Sequence, residues 1–279
     1  MKVLVTGANG YIGQGVVDRL IAKGVDVVAT DIRSEYINKQ AQIIETNFFD
    51  IEEPYSCFGK PDVVLHLAWR DGFKHGASSH LEDLPRHYDF LRKMVEAGAK
   101  EICVMGSMHE VGFWEGSIDE NTPCNPQSLY GISKNALRES LFILQKDYSF
   151  NLRWLRGFYI VGNSERGCSI FSKITEAVKQ GKKEFPFTMG TNQYDFIDYD
   201  LFCDQIVAST IQNDINGIIN CCSGNPTRLG ERVEQFIKDN VYDIKLQYGA
   251  FKDRPYDSKA VWGNDEKIRK IMEKFNECI

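Results

Sequence analysis

A glycine-rich turn between an apolar strand and an amphipathic helix is the feature that most restricts how this chain can fold. Residues 2–6 form a β-branched run, Gly7, Gly10 and Gly13 follow at regular spacing, and an amphipathic stretch ends near Gly24. The glycines permit a tight turn, a close backbone approach to a pyrophosphate, and close packing of helix on strand. The N–H groups at the start of the helix can then bind the phosphates. This order predicts a dinucleotide-binding unit rather than a plain tight turn.

A carboxylate follows the second apolar run of this unit. Residues 25–30 predict a strand that leads into Asp31, eighteen residues beyond Gly13. A carboxylate there can accept hydrogen bonds from both hydroxyls of an adenosine ribose and would repel a 2′-phosphate, which favours NAD over NADP. Arg33 leaves NADP possible, because its guanidinium can accommodate that phosphate. Asp31 also fits an ordinary turn at a strand end.

Short apolar strands continue to alternate with helices through the first half of the chain. Residues 42–46, 62–67 and 101–106 predict strands, and residues 80–98 predict a helix. This pattern indicates an α/β fold with a Rossmann-type, doubly wound parallel sheet and helices on both faces. Ligands of such sheets bind beyond the carboxyl ends of the strands. The expected cofactor contacts are therefore Gly7, Gly10, Tyr11, Ile12, Gly13, Asp31, Ile32, Arg33, Asp50, Ile51, Leu67, Ala68, Trp69 and Lys134.

The second half of the chain has a less regular pattern. Residues 1–162, with 194–221 returning to them, are expected to form the dinucleotide-binding core. Residues 163–193 and 222–279 are expected to form a small C-terminal substrate lobe. A lobe that faces a cofactor sheet creates a cleft for a substrate.

Ser107, Tyr130 and Lys134 are the candidate catalytic residues. Ser107 follows the fifth predicted strand, and a helix that starts near residue 126 carries Tyr130 and Lys134 on one face. Serine can hydrogen-bond a carbonyl oxygen, and tyrosine can give that oxygen a proton. Lysine can lower the tyrosine pKa and hold the nicotinamide ribose. A tyrosine and a lysine at this spacing are common on helices, but together with the serine and the glycine turn they predict carbonyl–alcohol interconversion.

Composition restricts the partners of the chain. A net charge of −6 with scattered basic residues offers no face to nucleic acid. No apolar run reaches the roughly 18 residues that span a bilayer, and no signal peptide is recognised, so a cytoplasmic protein is expected. The eight cysteines include no Cys-x-x-Cys pair and are expected to be free thiols. The five histidines, from His66 to His109, lack a ligand spacing, so no metal site is expected.

The chain resembles the extended short-chain dehydrogenase/reductase family, which includes epimerases, dehydratases and reductases of nucleotide sugars. The resemblance covers nearly the whole chain. It implies an NAD(P)-dependent enzyme with a nucleotide-sugar substrate and a homodimer formed through the helix that carries the tyrosine. The matching motifs are Gly7, Gly10 and Gly13, Asp31, Asp50-Ile51, His66-Leu67-Ala68, Ser107 before Val111-Gly112, and residues 130–134, 156–162, 194–201 and 220–224.

Departures from the family pattern reduce the number of family reactions that this chain can be expected to catalyse. Family dehydratases that eliminate water across C5 and C6 of the sugar carry Asp-Glu directly after the serine or threonine. This chain has Met108 and His109 there, with Glu110 one residue further on. The 4,6-dehydration is therefore not expected. His109 lies where family epimerase-reductases place a proton-transferring group, and it can serve as one or pack as a ring on the cleft wall.

The predicted substrate contacts are less specific than the cofactor contacts. Tyr194 and Asp198 stand where the family usually has arginine and histidine, and Asp83 stands where asparagine is common, so the identity of the sugar stays open. A guanidinium fork suits phosphate oxygens, although an arginine in this region also fits a solvated surface. The expected substrate contacts are Trp69, Met108, His109, Tyr159, Arg228 and Arg254.

These residues together predict an NAD(P)H-dependent reductase that acts on the keto group of a nucleotide-linked 4-keto-6-deoxy sugar, used for a surface polysaccharide. An NAD-dependent nucleotide-sugar 4-epimerase uses the same catalytic residues and is the alternative. A redox sensor that binds NAD(P) without catalysis is a third interpretation. The presence of Ser107, Tyr130 and Lys134 argues against a sensor, which has no need of all three.

Overall fold

The computed structural model describes residues 1–162, 169–252 and 258–277. The strands within these residues are β1 (Lys2–Thr6), β2 (Asp26–Asp31), β3 (Gln42–Glu45), β4 (Val63–His66), β5 (Glu101–Ser107), β6 (Gly116–Ile118), β7 (Asn151–Gly157), β8 (Tyr159–Val161), β9 (Glu184–Pro186), β10 (Gln193–Asp198), β11 (Gly217–Cys221), β12 (Pro226–Arg228), β13 (Lys245–Gln247) and β14 (Ala260–Gly263). The helices are α1 (Tyr11–Ala22), α2 (Pro54–Cys57), α3 (Ser79–Glu96), α4 (Leu129–Leu144), α5 (Ile170–Lys179), α6 (Tyr199–Ile211), α7 (Leu229–Asp239) and α8 (Glu266–Glu277).

The main sheet has seven parallel strands in the part of the chain that the structure describes, in the order β11-β7-β5-β4-β1-β2-β3. β1 pairs with β2 on one side and with β4 on the other, so the strand order reverses at β1. Ligands of open α/β sheets bind at such a reversal, beyond the carboxyl ends of the strands. The predicted Rossmann-type, doubly wound sheet is confirmed, and its crevice lies beyond Thr6 and His66.

Apolar helix faces cover both sides of this sheet. On one side, α1, α6 and α8 pack in a cluster that includes Val17, Phe202 and Ile271. On the other side, α3 and α4 pack in a cluster that includes Leu91 and Leu141. Parallel strands covered on both faces carry continuous apolar runs, and this is why the strands could be recognised from the sequence. Within the described residues, no helix combines the length and the apolar character needed to cross a membrane.

A second sheet has the order β12-β10-β14-β6, with β8 also paired to β10. Asp195 of β10 connects its parts, because its buried carboxylate accepts hydrogen bonds from the backbone N–H groups of Ser223, Gly224 and Gly263 at 2.8, 2.9 and 3.0 Å. Nearby, α5 and α7 share a third apolar cluster that includes Phe171 and several other buried side chains. This cluster is a core for the expected substrate lobe, whose boundaries stay a prediction.

The last helix lies apart from the third cluster. Ile268 and Ile271 of α8 are buried in the cluster of α1 and α6, on the main sheet. These two residues are three positions apart and share a helix face, while most of the other side chains of α8 are charged. The division of the sequence at residue 222 assigned this helix to the lobe, whereas its apolar face packs with the sheet layer.

Candidate active site

A glycine cradle, formed by Gly7, Gly10 and Gly13, lies between β1 and α1 at the carboxyl edge of the sheet. Gly7 has a φ of 71°, and a Cβ at this position would lie 2.7 Å from the Cα of Ala68, just beyond β4. A Cβ at Gly13 would lie 2.2 Å from the carbonyl oxygen of Gly7. Gly10 is the N-cap of α1, and in the described chain no side chain caps this helix and no acidic residue occupies its first turn. The N–H groups of that turn are therefore available to an anion.

Asp31 ends β2 beside the cradle. Its carboxylate accepts hydrogen bonds from the backbone N–H groups of Asn9 at 3.1 Å and Ile32 at 2.7 Å. Burial raises the pKa of this carboxyl, and the backbone hydrogen bonds act in the opposite direction. Glu35 adds a second negative charge close to it. The carboxylate is thus fixed where the sequence predicts an adenosine ribose.

The remaining predicted cofactor contacts line the same edge. Asp50 ends a short 3₁₀ turn after β3, and its exposed carboxylate accepts a hydrogen bond from Arg86 at 3.2 Å. Ile32 and Arg33 directly follow β2 and are exposed. The others are partly buried and follow β3, β4 or the cradle: Tyr11, Ile12, Ile51, Leu67, Ala68 and Trp69.

The structure brings Ser107, Tyr130 and Lys134 together. Ser107 is the last residue of β5, and Tyr130 and Lys134 lie in the first half of α4. The Ser107 hydroxyl lies near enough to the Tyr130 phenol to act on its pKa, which it lowers. Nζ of Lys134 donates to the carbonyl oxygen of Met105, which precedes Ser107 on the same strand, at 2.7 Å. The candidate catalytic side chains therefore meet at the carboxyl end of β5.

Burial controls the protonation of this group. It raises the pKa of Tyr130 to about 12, and the Ser107 hydroxyl opposes this shift only in part. It lowers the pKa of Lys134 to about 7, against the opposing effect of the Glu110 carboxylate. The sequence predicts that lysine lowers the pKa of tyrosine, whereas in the structure burial is the largest influence on the Tyr130 pKa and raises it. Tyr130 is therefore a protonated phenol beside an amine whose charge changes near neutral pH.

Residues 3–222 match the model of the NAD dependent epimerase/dehydratase family. The chain belongs to this family. It is accordingly an NAD-dependent enzyme of the oxidoreductase type. Over 269 residues it is 43% identical to dTDP-6-deoxy-L-talose 4-dehydrogenase (NAD(+)) of Aggregatibacter actinomycetemcomitans, in an alignment that covers 94% of this chain and 99% of that protein.

Solved structures of family epimerases share the fold. UDP-glucose 4-epimerase of Thermotoga maritima, solved with UDP-glucose, superposes with a TM-score of 0.82 at 22% identity and covers 97% of this chain and 92% of its own. UDP-glucuronic acid 4-epimerase of Bacillus cereus, solved with UDP-glucuronic acid and NAD, gives a TM-score of 0.81 at 22% identity, with coverages of 98% and 93%. At this level of identity the similarity establishes the fold.

The glycine cradle fits the NAD that the family uses. Gly7 and Gly13 leave no space for a side chain, because the backbone of Ala68 and of Gly7 lies where a Cβ would be, so this turn has the tight strand-to-helix packing of a pyrophosphate-binding turn. The uncapped first turn of α1 offers N–H groups to its negative charge. Asp31 presents a carboxylate of the kind that binds ribose hydroxyls.

Gly13→Ala tests the cradle directly. The added methyl group must displace the Gly7 carbonyl or α1, so we expect the affinity for NADH to fall at least about tenfold. We also expect the free energy of unfolding to fall by about 1–3 kcal/mol, as for other overpacked sites. Fluorescence titration with NADH and urea unfolding would measure the two effects. Gly76→Ala is the matched control, because a Cβ at that exposed glycine meets nothing within 4 Å; equal behaviour of the two variants would contradict the cradle.

The five histidines of this family member lie in one cluster of rings with Trp69 and Tyr130. His75 stacks on Tyr130, with ring centroids 5.0 Å apart and planes at 11°. His109 lies 4.4 Å from His75, measured between centroids. The other three contact one another or Trp69: His66, His80 and His87. Among the described residues, no group of three or more potential ligands is arranged to hold a metal ion.

His109 is a neutral ring in this cluster. Burial lowers its pKa to about 4, and neighbouring His75 acts in the same direction. Its ring lies edge-on to Tyr159 with centroids 6.3 Å apart, and its backbone N–H donates to Oγ of Ser107 at 3.3 Å. An imidazole with this pKa is not protonated to the imidazolium at neutral pH, so it is neither a ready acid nor a strong base. The structure therefore favours the packing interpretation of His109 over proton transfer.

Glu110 points away from the substrate side, into the core. Its fully buried carboxylate accepts hydrogen bonds from the backbone N–H of Ser107 at 2.6 Å, from Nε1 of Trp154 at 2.9 Å and from Arg138 at 3.2 Å. Arg156 lies 3.7 Å away. A carboxylate held in this way is not free to act as a base on a substrate. Glu110 therefore does not replace the acid–base pair that the family's dehydratases carry.

The spacing of Ser107 and Glu110 in the sequence indicates this structural role. Ser107 and Glu110 have the Ser-x-x-Glu spacing of a capping box, and both reciprocal hydrogen bonds of that box are present. The box fixes the turn that follows β5. It thereby fixes the Ser107 hydroxyl beside Tyr130.

The predicted substrate contacts near the catalytic group are aromatic or apolar. Trp69 lies edge-on to Tyr130, with ring centroids 6.3 Å apart. Tyr159 of β8 packs against Tyr194, with centroids 4.8 Å apart. Met108 is almost completely buried, so it contributes to the wall behind the site rather than to an open surface.

Arg228, one of the two predicted phosphate-binding arginines, does not contact these aromatic side chains. Arg228 precedes α7, its side chain is exposed, and it lies 3.5 Å from Glu231 of that helix. Arg254 lies outside the described residues. Arg232, which the sequence did not single out, donates to Asp198 at 2.6 Å. An arginine thus lies beside the position at which this chain has aspartate and the family usually has histidine.

Proposed function

We propose that this enzyme interconverts a carbonyl and a hydroxyl group at C4 of a nucleotide-linked 6-deoxy sugar, and that it acts as a 4-keto reductase with NADH. The observation that carries this proposal is the convergence of Ser107, Tyr130 and Lys134 at the sheet edge that also carries the glycine cradle. The relative that is 43% identical is named for dehydrogenation at position 4 of dTDP-6-deoxy-L-talose with NAD. Both observations favour oxidoreduction at C4.

The proposed roles follow from the protonation states of the site. When bound, NADH supplies the hydride that the carbonyl carbon receives. Tyr130, a phenol because burial raises its pKa to about 12, donates a proton to the carbonyl oxygen. The Ser107 hydroxyl donates a hydrogen bond to the same oxygen. The ammonium form of Lys134 stabilises the tyrosinate that remains after the proton has left.

A panel of nucleotide-linked sugars tests the proposal. The purified chain would be incubated with dTDP-, UDP- and GDP-linked 4-keto-6-deoxy sugars, each with NADH and with NADPH, while nicotinamide absorbance is followed. We expect stoichiometric loss of NADH absorbance with at least one keto sugar, and a product that carries a hydroxyl at C4. We expect NADPH to be the poorer reductant, because Asp31 and Glu35 place negative charge beside the predicted ribose site.

The same panel separates the alternative functions. An enzyme that is purified with NAD already bound, and that converts a 4-hydroxy nucleotide sugar into its 4-epimer without added NADH, would be an epimerase. A chain that binds NADH but turns over no member of the panel, in either direction, would support a sensor. Either result would overturn the reductase proposal.

We also propose that the chain forms a homodimer through α3 and α4, which pack beside each other. Both helices expose large apolar side chains, namely Leu81 at 47%, Ile132 at 42% and Ile143 at 58% exposure. Exposed apolar patches commonly mark protein contacts. Sedimentation analysis would check this assembly, and a monomer at all concentrations would contradict it.

A further inference from the structure

The Lys134 ammonium lies between a carbonyl group and the face of an indole ring. The residue is only 2% exposed. Its Nζ donates to the carbonyl oxygen of Met105 at 2.7 Å and lies 3.8 Å from the centroid of the Trp69 ring. An aromatic face attracts a cation at this distance, and it does so more strongly where water is excluded. The indole therefore provides part of the stabilisation that water would otherwise give to the ammonium.

The Trp69 ring is held by two histidines. It stacks on His87, with ring centroids 4.4 Å apart and planes at 11°. Its Nε1 lies 3.0 Å from Nδ1 of His80. An indole N–H can only donate, so Nδ1 of His80 must accept and the imidazole proton must lie on Nε2. That nitrogen lies 3.0 Å from the carbonyl oxygen of Lys74, which accepts its hydrogen bond and so supports this tautomer.

The other groups that face Lys134 stabilise its ammonium form only weakly. Burial lowers the pKa of His66 to about 3 and also depresses the pKa of His87, so both rings are neutral at pH 7. Tyr130, one turn earlier on the same helix, is a neutral phenol. The Glu110 carboxylate attracts the ammonium, but it is already engaged by two arginines. The indole face is thus one of the main neighbours that stabilise the ammonium form of Lys134 more than its neutral amine.

We propose that Trp69, oriented by its hydrogen bond to His80, is a positioning residue that holds the Lys134 ammonium in place and favours its charged form. This role is separate from any contact of Trp69 with cofactor or substrate. Its importance for turnover rests on the proposed function, because only there does the charge of Lys134 assist Tyr130. The contacts of Trp69 with Lys134 and His80 involve only residues of this chain, so they can be tested without a cofactor or substrate.

The ionisation of Lys134 can be measured without substrate or turnover. The chain would be labelled with ¹³C at the ε-carbon of lysine, the Lys134 signal assigned by its loss in Lys134→Met, and its chemical shift followed against pH. We expect a midpoint near neutrality in the wild type. Trp69→Leu removes the aromatic face, so the midpoint should fall by roughly one pH unit, since a cation–π contact of about 1–2 kcal/mol corresponds to that shift.

Two further variants separate the ring from its orientation. Trp69→Phe keeps a smaller aromatic face but loses the indole N–H, so its midpoint should lie between those of the wild type and Trp69→Leu. His80→Phe removes the acceptor and should lower the midpoint in the wild-type background, but should have no further effect on Trp69→Phe. Additive effects of the two changes would overturn the role of His80.

Other results would overturn the role of Trp69. An unchanged midpoint in Trp69→Leu would do so, and so would a raised midpoint, which is the result expected if the only effect were water entering the vacated space. Trp114→Leu is the matched control, because that indole N–H also donates a hydrogen bond, to the carbonyl oxygen of Ser117 at 3.1 Å, and it should leave the Lys134 midpoint unchanged. Circular dichroism melting curves would identify any variant that fails to fold. If Trp69→Leu does not fold, the midpoint of Trp69→Phe is compared with that of the wild type instead.

The two proposals can fail independently. If no sugar is turned over but the midpoint falls in Trp69→Leu, the reductase proposal fails and the role of Trp69 stands. If turnover is found but the midpoint does not move, the reductase proposal stands and the role of Trp69 fails. If both hold, the pH at which reduction declines on the alkaline side should move down together with the Lys134 midpoint, with the affinity for NADH measured separately by fluorescence.

Discussion

Tyr130→Phe should reduce the rate constant kcat for reduction of a keto sugar by about 100- to 10,000-fold. The change removes only the phenolic O–H, which is the proposed proton donor. The ring still stacks on His75, so the packing of the site should be retained. The glycine cradle is untouched, and the affinity for NADH should therefore stay close to that of the wild type. Stopped-flow measurement of NADH oxidation, with fluorescence titration of NADH, would separate the two quantities.

The control for this variant removes a phenolic hydroxyl elsewhere. Tyr148 follows α4, is partly exposed, and donates a hydrogen bond to Glu96 at 3.3 Å. Tyr148→Phe should keep the wild-type kcat. Near-normal turnover in Tyr130→Phe would exclude Tyr130 as the proton donor, and a loss of NADH binding in parallel with turnover would indicate that the site had been disturbed as a whole.

Glu110→Gln should destabilise the fold by about 3–5 kcal/mol, because it removes the buried negative charge that faces the buried guanidinium groups of Arg138 and Arg156. For a chain of this size such a loss corresponds to a fall in Tm of roughly 10 °C. Glutamine can still accept from Trp154 and from the Ser107 N–H, so the protein that remains folded should keep a kcat close to that of the wild type at a pH low enough to keep Lys134 charged without the Glu110 carboxylate. Urea unfolding and a turnover assay at low temperature would measure these effects.

Glu139→Gln supplies a matched comparison. Glu139 also pairs with Arg138, but its side chain is 57% exposed. Solvated pairs of this kind contribute about 0–1 kcal/mol, so the substitution should change Tm little. If Glu110→Gln lost turnover without losing stability, Glu110 would be a catalytic group and the dehydratase interpretation would reopen.

The sequence predicted those parts of the fold and site that depend on local patterns. The glycine turn, the strand that leads to Asp31 and the strand that leads to Ser107 could be predicted because each strand is a continuous apolar run. Parallel strands end at a common edge, and this alone predicts that Ser107 lies near the cofactor residues. Tyr130 and Lys134 could be added because a four-residue spacing on a helix fixes their common face.

Other features depend on which distant surfaces meet, and the sequence did not predict them. The spacing of Ile268 and Ile271 indicates an amphipathic helix, but not that its partner would be α6 of the main sheet. Strands of three residues, such as β6 and β9, are too short to show a period. The spacing of the histidines shows no metal site, and their common location arises because the end of β4, the loop after it, α3 and the turn after β5 meet at one place.

The histidine cluster also has a thermodynamic consequence for the whole protein in acid. Burial lowers the pKa of His66 to about 3 and that of His109 to about 4, whereas both would titrate near 6.5 in an unfolded chain. Between these limits the unfolded state binds protons that the folded state does not, so each of these histidines removes up to about 1.4 kcal/mol of stability per pH unit of acidification. Urea midpoints measured from pH 6.5 downward should follow that slope. The ring cluster that encloses the catalytic tyrosine thus also makes the folded state acid-labile.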